Sequence, residues 1–241
     1  MCGIFGTAGR IPKAKRHALL SSFAIMNTAR GMHSTGIGVR LSDGKHVIYK
    51  QAIHAADFIR RKSFLDAVQK DSMTVLGHCR HATHGEVTHQ NAHPFRFGPV
   101  VGTHNGMVTN INRMRAWSGK SFEVDSQYLV WAMANYGHFG PAEGSLTMAW
   151  FNMEEDVLLH LFRHNRTLSY GITKSGRGIV YSSELNHLVT SCAISGVEME
   201  SFHQVRNFSQ IMFRTDSKGF IKTSTLPELE QASLSFEGSE Q

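Results

Sequence analysis

Cys2 follows the initiating Met1 and precedes the apolar, glycine-containing run Gly3-Ile4-Phe5-Gly6. A lone cysteine is usually a small buried hydrophobe. The second position is an odd place for one, because chain ends commonly fray. Here the next residues suit a strand tucked into a sheet, and removal of Met1 gives Cys2 a free α-amino group. Such an amine titrates near ~7.7–8.0, well placed to take a proton from the thiol around neutral pH. One residue then supplies both nucleophile and base, the logic of an N-terminal nucleophile.

A second candidate lies in Gly77-His78-Cys79-Arg80-His81-Ala82-Thr83-His84-Gly85, which continues to Asn91-Ala92-His93-Pro94. His78, His81 and His84 stand three apart, which raises a metal site. The stretch reads as a strand running into a loop, however, and no carboxylate sits at a matching spacing. The expectation is no metal and no cofactor. Arg80 carries more weight, since a guanidinium at the end of a buried strand can grip a carboxylate through two hydrogen bonds. A surface ion pair is the plainer reading.

A third candidate is Gly102-Thr103-His104-Asn105-Gly106. Asn-Gly is a common turn dipeptide. Alternatively, the Asn105 amide and the Gly106 N–H form an oxyanion hole. A fourth is Asp125, which opens a helical stretch. It either caps that helix or binds a substrate ammonium.

These residues need a frame. Residues 3–9 read as a strand and 16–29 as a helix closed by Gly31. Residues 37–41 and 46–51 flank Asp43-Gly44 as a hairpin. Residues 55–69 are helical in pattern. Residues 73–78 and 100–104 are buried strands joined by a long polar loop, and 125–135 form an amphipathic helix. Beyond Ser145 the pattern turns mainly to strands, at 146–151, 157–162, 178–182 and 210–214. This order predicts mixed α and β with antiparallel sheets.

The 241 residues fit one large domain or two small ones, with 41% hydrophobic and 18% charged residues, the composition of a folded chain. No apolar run reaches a membrane span and no leader-like N-terminus is present, so the cytoplasm is the expected setting. The net charge of +6, from 25 basic and 19 acidic residues, comes without aromatic-interleaved basic runs, which argues against nucleic acid as a partner. Three cysteines with no zinc spacing argue against a disulfide framework. Residues 1–225 are read as one domain and 226–241 as an acidic C-terminal tail.

Taken together, MCGIFG, Arg30-Gly31-Met32-His33-Ser34-Thr35-Gly36, GHCRHATHGEVTHQNAHPF, THNG and Asp125 resemble the glutaminase domain of class II glutamine amidotransferases. The similarity spans roughly residues 1–215 and is greatest to the glucosamine-6-phosphate synthase type. The resemblance implies an α+β fold, the four-layer αββα sandwich of N-terminal-nucleophile hydrolases. It implies that Cys2 attacks glutamine, that Asn105 and Gly106 stabilise the oxyanion, and that Arg80 and Asp125 bind the α-carboxylate and α-ammonium. Thr83, His84 and Gly85 would lie in the loop that closes over glutamine, and Arg30 would orient the cysteine end. The family usually has Asp where His33 stands and Trp where His81 stands. The chain stops where a synthase domain would begin. The expectation is therefore a free-standing glutaminase that supplies ammonia to a separate acceptor protein. The rival readings are an N-terminal-nucleophile amidase for another amide, and a catalytically silent basic binding module.

Overall fold

The computed structural model describes residues 1–226. In chain order the elements are β1 (Gly3–Gly9), α1 (Lys13–Met26), β2 (Ser34–Leu41), β3 (His46–Gln51), α2 (Ala55–Phe58), α3 (Lys62–Gln69), β4 (Ser72–Arg80), β5 (Phe95–Phe97) and β6 (Val100–Val108). Then come α4 (Ile111–Ser118), α5 (Asp125–Tyr136), β7 (Gly144–Asn152), β8 (Leu159–Arg163), β9 (Ser169–Thr173), β10 (Gly178–Ser182), α6 (Leu185–Ser195), β11 (Met199–Gln204), β12 (Ser209–Thr215) and β13 (Ile221–Leu226). One sheet runs β11-β9-β10-β1-β4-β2-β3 and the other β13-β12-β8-β7-β6-β5. Every paired strand in both is antiparallel.

Strand alternation explains the layering. On β1, Phe5 packs outward with Leu19, Leu20 and Phe23 of α1. Its neighbour Ile4 packs inward with Leu76 of β4 and with Val101 and Ala149 of the second sheet. Successive residues of a strand face opposite sides, so one strand feeds two apolar layers. A third layer, with Met114, Tyr128, Leu129 and Trp150, seats α4 and α5 on the far face of the second sheet. The result is the αββα sandwich. Phe5 lies over Gly77, its cross-strand partner, where any Cβ would come within 2.2 Å of the ring. Glycine there makes room for a fully buried aromatic.

Several elements depart from the sequence reading. The helix over 16–29 starts earlier, ends at Met26 and continues as a 3₁₀ turn, Asn27–Ala29. Gly31 is not its left-handed cap. Its role is close approach, since a Cβ would lie 2.4 Å from the Arg80 carbonyl carbon. The helix over 55–69 breaks into α2 and α3, with Arg61 in an extended conformation between them. The loop after β4 contains β5. Helices α4 and α6 and strands β9, β11 and β13 were not anticipated. Among the described residues, no helix is long and apolar enough to cross a membrane. Of the expected tail, 226–241, Leu226 belongs to β13 instead, because it pairs with Gln210 of β12, and the rest lies outside the described residues.

Candidate active site

β1 is the central strand of the seven, and Cys2 sits at its start. The pairing Gly3 with Cys79 brings Cys2 beside the end of β4, where Arg80 stands. Cys2 has the parity of inward-facing Ile4. Its Sγ lies 3.4 Å from the amide nitrogen of His81, a donor to it, and 3.5 Å from the His81 carbonyl oxygen. Burial pushes the thiol pKa up, and the His81 amide pulls it partly back. The Asp125 charge raises it further and the Arg80 charge lowers it, so both ionic groups act on the sulfur. A thiol raised in this way is protonated at rest and needs a base to become a nucleophile.

The backbone around Cys2 is tied down. Arg30 Nε donates to the Cys2 carbonyl at 2.8 Å, and the same guanidinium pairs with Glu184. Thr167 Oγ1 donates to Glu184 at 2.9 Å. The Ile4 amide donates to Ser183 Oγ at 2.9 Å. Asn27 fills the space over Gly3, where a Cβ would meet its side chain at 2.4 Å.

Asn105 and Gly106 are not in a turn. They lie inside β6, paired with Thr147 and Leu146 of β7. Gly106 has no room for a side chain, with the Ser145 carbonyl 1.8 Å from where its Cβ would be. Asn105 is fully buried, yet among the described residues neither its side-chain nitrogen nor its oxygen has a hydrogen-bond partner. Buried polar groups are normally paired, and an unpaired amide leaves a donor for water, a ligand or a reacting atom.

Asp125 is the first residue of α5, at the end of β6. Its carboxylate accepts from the Val108 amide at 2.9 Å and the Ser126 amide at 2.9 Å. Ser126 Oγ lies 2.8 Å from His104 Nδ1, whose Nε2 reaches the Ser145 carbonyl at 2.8 Å. Helix entry and β6 are therefore bonded together behind Asp125.

Arg80 is buried, and its fork is engaged within the protein. It donates to the carbonyls of Glu86 at 2.9 Å, Gly85 at 3.3 Å and His84. Gly85 has a left-handed φ of 71°, which lets the loop curl over the arginine. Thr83 is exposed at the tip of this segment. Sequence reasoning gave no role to Glu184, Asn27 or His104. Glu184 meets the cysteine end only through its pairing with Arg30, 154 positions away, and Asn27 by packing over Gly3.

No protein-family model matches the chain. Glutamine–fructose-6-phosphate aminotransferase [isomerizing] of Bacillus licheniformis is 38% identical over 231 residues, covering 92% of this chain and 37% of that enzyme. The same enzyme of Mycolicibacterium paratuberculosis is 30% identical over 194 residues, covering 71% and 31%. The chain thus spans about a third of the curated relatives it matches. Glutamine phosphoribosylpyrophosphate amidotransferase of B. subtilis has a similar fold, with a TM-score of 0.68, 19% identity, and coverage of 92% of this chain and 49% of that one. A glutamine aminotransferase class-II domain protein from silicibacter pomeroyi gives 0.55 at 12% identity, covering 93% and 98%.

Fold and kinship together define a class II glutamine amidotransferase domain. Within that class, its sequence relatives are the glutaminase domains of glutamine–fructose-6-phosphate aminotransferases.

Proposed function

We propose that this protein hydrolyses glutamine to glutamate and ammonia through a thioester on Cys2, and that the ammonia passes to an acceptor enzyme. The observation that carries the reading is the pairing of Gly3 with Cys79, which seats Cys2 beside the end of β4, where Arg80 stands; Asp125, bonded to the end of β6, supplies the opposite charge. Glutamine carries a carboxylate and an ammonium at its far end, and a site specific for it needs a cation and an anion together.

Removal of Met1 frees the α-amine of Cys2. That amine takes the thiol proton as Sγ attacks the side-chain amide carbon. The carbonyl oxygen becomes an oxyanion, and the Asn105 amide and Gly106 N–H donate to it. The carbon–nitrogen bond breaks, and the amine returns its proton to the departing ammonia. Water then attacks the thioester, giving glutamate and restoring the thiol. Arg80 takes the α-carboxylate after exchanging some of its contacts with the 84–86 carbonyls, and Asp125 takes the α-ammonium. Thr83, His84 and Gly85 form the cover of the site.

The test is glutamate release by the purified protein, with Cys2→Ala as control and an electrophilic glutamine analogue as label. Labelling of Cys2 alone and loss of turnover in the variant support the reading. Turnover of simple amides at the rate of glutamine favours the other amidase reading instead. That alternative draws on Arg80, whose donors already have partners within the chain. Adding a candidate acceptor enzyme at fixed glutamine tests the second half. A rise in glutamate production supports a partner, and unchanged turnover without a complex leaves a simple glutaminase.

A further inference from the structure

Residues 30–34 run against the backbone that leaves β4. At Gly31 a Cβ would sit 2.4 Å from the Arg80 carbonyl carbon and 2.6 Å from the His81 nitrogen, so the two backbones touch. Two residues on, the His33 amide donates to the Arg80 carbonyl at 3.0 Å. The His33 side chain reaches past it, and its Nδ1 accepts from the Ala82 amide at 2.9 Å. The His33 ring also stacks on that of His81, with centroids 4.9 Å apart and planes 24° apart. His81 is the residue whose backbone nitrogen and oxygen flank Cys2 Sγ. One imidazole therefore holds the peptide segment that seats the sulfur, at the root of the loop carrying Thr83, His84 and Gly85.

We infer that His33 is a positioning residue for the glutaminase site, fixing the 81–85 segment against Cys2 through its Nδ1 bond to the Ala82 amide. The inference rests on the glutaminase reading. An Nδ1 that accepts carries no proton, so the ring proton is on Nε2. A neutral imidazole accepts this bond without placing a negative charge beside a thiol that burial and Asp125 already hold in its protonated form.

The side chains of Asn and Gln separate this role from simple packing. Asn places an acceptor where Nδ1 stands, whereas the amide of Gln extends to the position of Nε2. His33→Ala and His33→Gln should raise KM for glutamine about tenfold, with kcat changed less than about threefold, because the loop loses one anchoring bond. Amide hydrogen exchange across residues 81–85 should quicken in both. His33→Asn should stay within about threefold of the wild type in KM and keep the exchange protection. Thermal unfolding of each variant identifies any that fail to fold, and the Asn–Gln comparison stands if the alanine variant does. Equal impairment of Asn and Gln, or exchange unchanged in Ala and Gln, overturns the inference. If the wild type does not hydrolyse glutamine, the glutaminase reading fails by itself, and the exchange comparison still decides whether His33 holds the loop.

Discussion

Arg30 Nε donates to the carbonyl oxygen of Cys2 at 2.8 Å, while the other side of its guanidinium pairs with Glu184. Cys2 is thus held through its backbone carbonyl as well as through its sulfur. Arg30 is nearly buried and Glu184 is about a third exposed, so the pair is partly screened. Arg30→Ala should lower stability by about 1–2 kcal/mol and turnover by about tenfold. Arg30→Lys should recover little, because a lysine cannot donate to both partners in the same plane. Urea unfolding and steady-state kinetics report the two effects. Stability and turnover both at wild-type levels in Arg30→Ala would remove this residue from the cysteine end.

Cys2 is the expected nucleophile because it alone of the three cysteines gains an adjacent α-amine as a base once Met1 is removed. Cys79 and Cys192 are buried, and burial pushes the pKa of each up to about 12. Cys2→Ala should abolish glutamate release with little change in unfolding, and Cys79→Ala and Cys192→Ala should retain activity. Intact-mass measurement of active protein should show loss of Met1. Full activity in protein that keeps Met1 would remove the α-amine from the mechanism.

The oxyanion and binding roles are separable by kinetics. Asn105→Ala should lower kcat by roughly 10²–10³ with KM little changed, since its unpaired amide is engaged only as charge develops. Arg80→Ala and Asp125→Ala should instead raise KM, by about ten- to a hundredfold for one charge-assisted contact of about 1.5–3 kcal/mol. Arg80→Ala should also make residues 84–86 easier to cleave by protease, because three of their carbonyls lose a donor. A rise in KM alone in Asn105→Ala would reassign it to binding.

Acid should destabilise this protein ahead of carboxylate titration. His78, His93 and His104 are buried, and burial lowers all three, His78 to about 3. In the unfolded chain an imidazole takes a proton near ~6.5, so below that pH the unfolded state binds protons that the folded state refuses. Stability is full above ~6.5 and falls as pH drops, by up to ~1.4 kcal/mol per pH unit for each such histidine. Urea midpoints measured from pH 7 to pH 4 should fall steadily, with proton uptake on unfolding. A flat profile between pH 6.5 and 5 would contradict the buried neutral imidazoles.

The hairpin around Asp43-Gly44, the strand at Cys2 and helix α5 were legible because local chemistry and burial agree there. Helix α6 was not, because its apolar residues are split between faces. Leu188 and Cys192 are buried while Leu185, Val189 and Ile194 are exposed, which blurs the helical period. Strand β11 has no buried residue, is exposed at four of its six positions and carries no apolar alternation. Gly31 looked like a helix cap and serves instead to let two distant backbones touch.

By itself, the sequence determined the types of the candidate groups and their order along the chain: the thiol at the second position, Arg80 at the end of a strand, Asn105-Gly106, and Asp125 at the start of a helix. Residue type fixes what a group can donate, accept or attack, so this much needs no coordinates. Only the tertiary structure decided which of these groups are free. It buried Asn105 without a partner, engaged the Arg80 fork with the 84–86 carbonyls, and joined His33 to the Ala82 amide across 49 positions. Those relations depend on strand register and on the approach of segments far apart in the chain. Local propensity and spacing carry no information about either, because each is set by how two sheets bury their inner faces against one another.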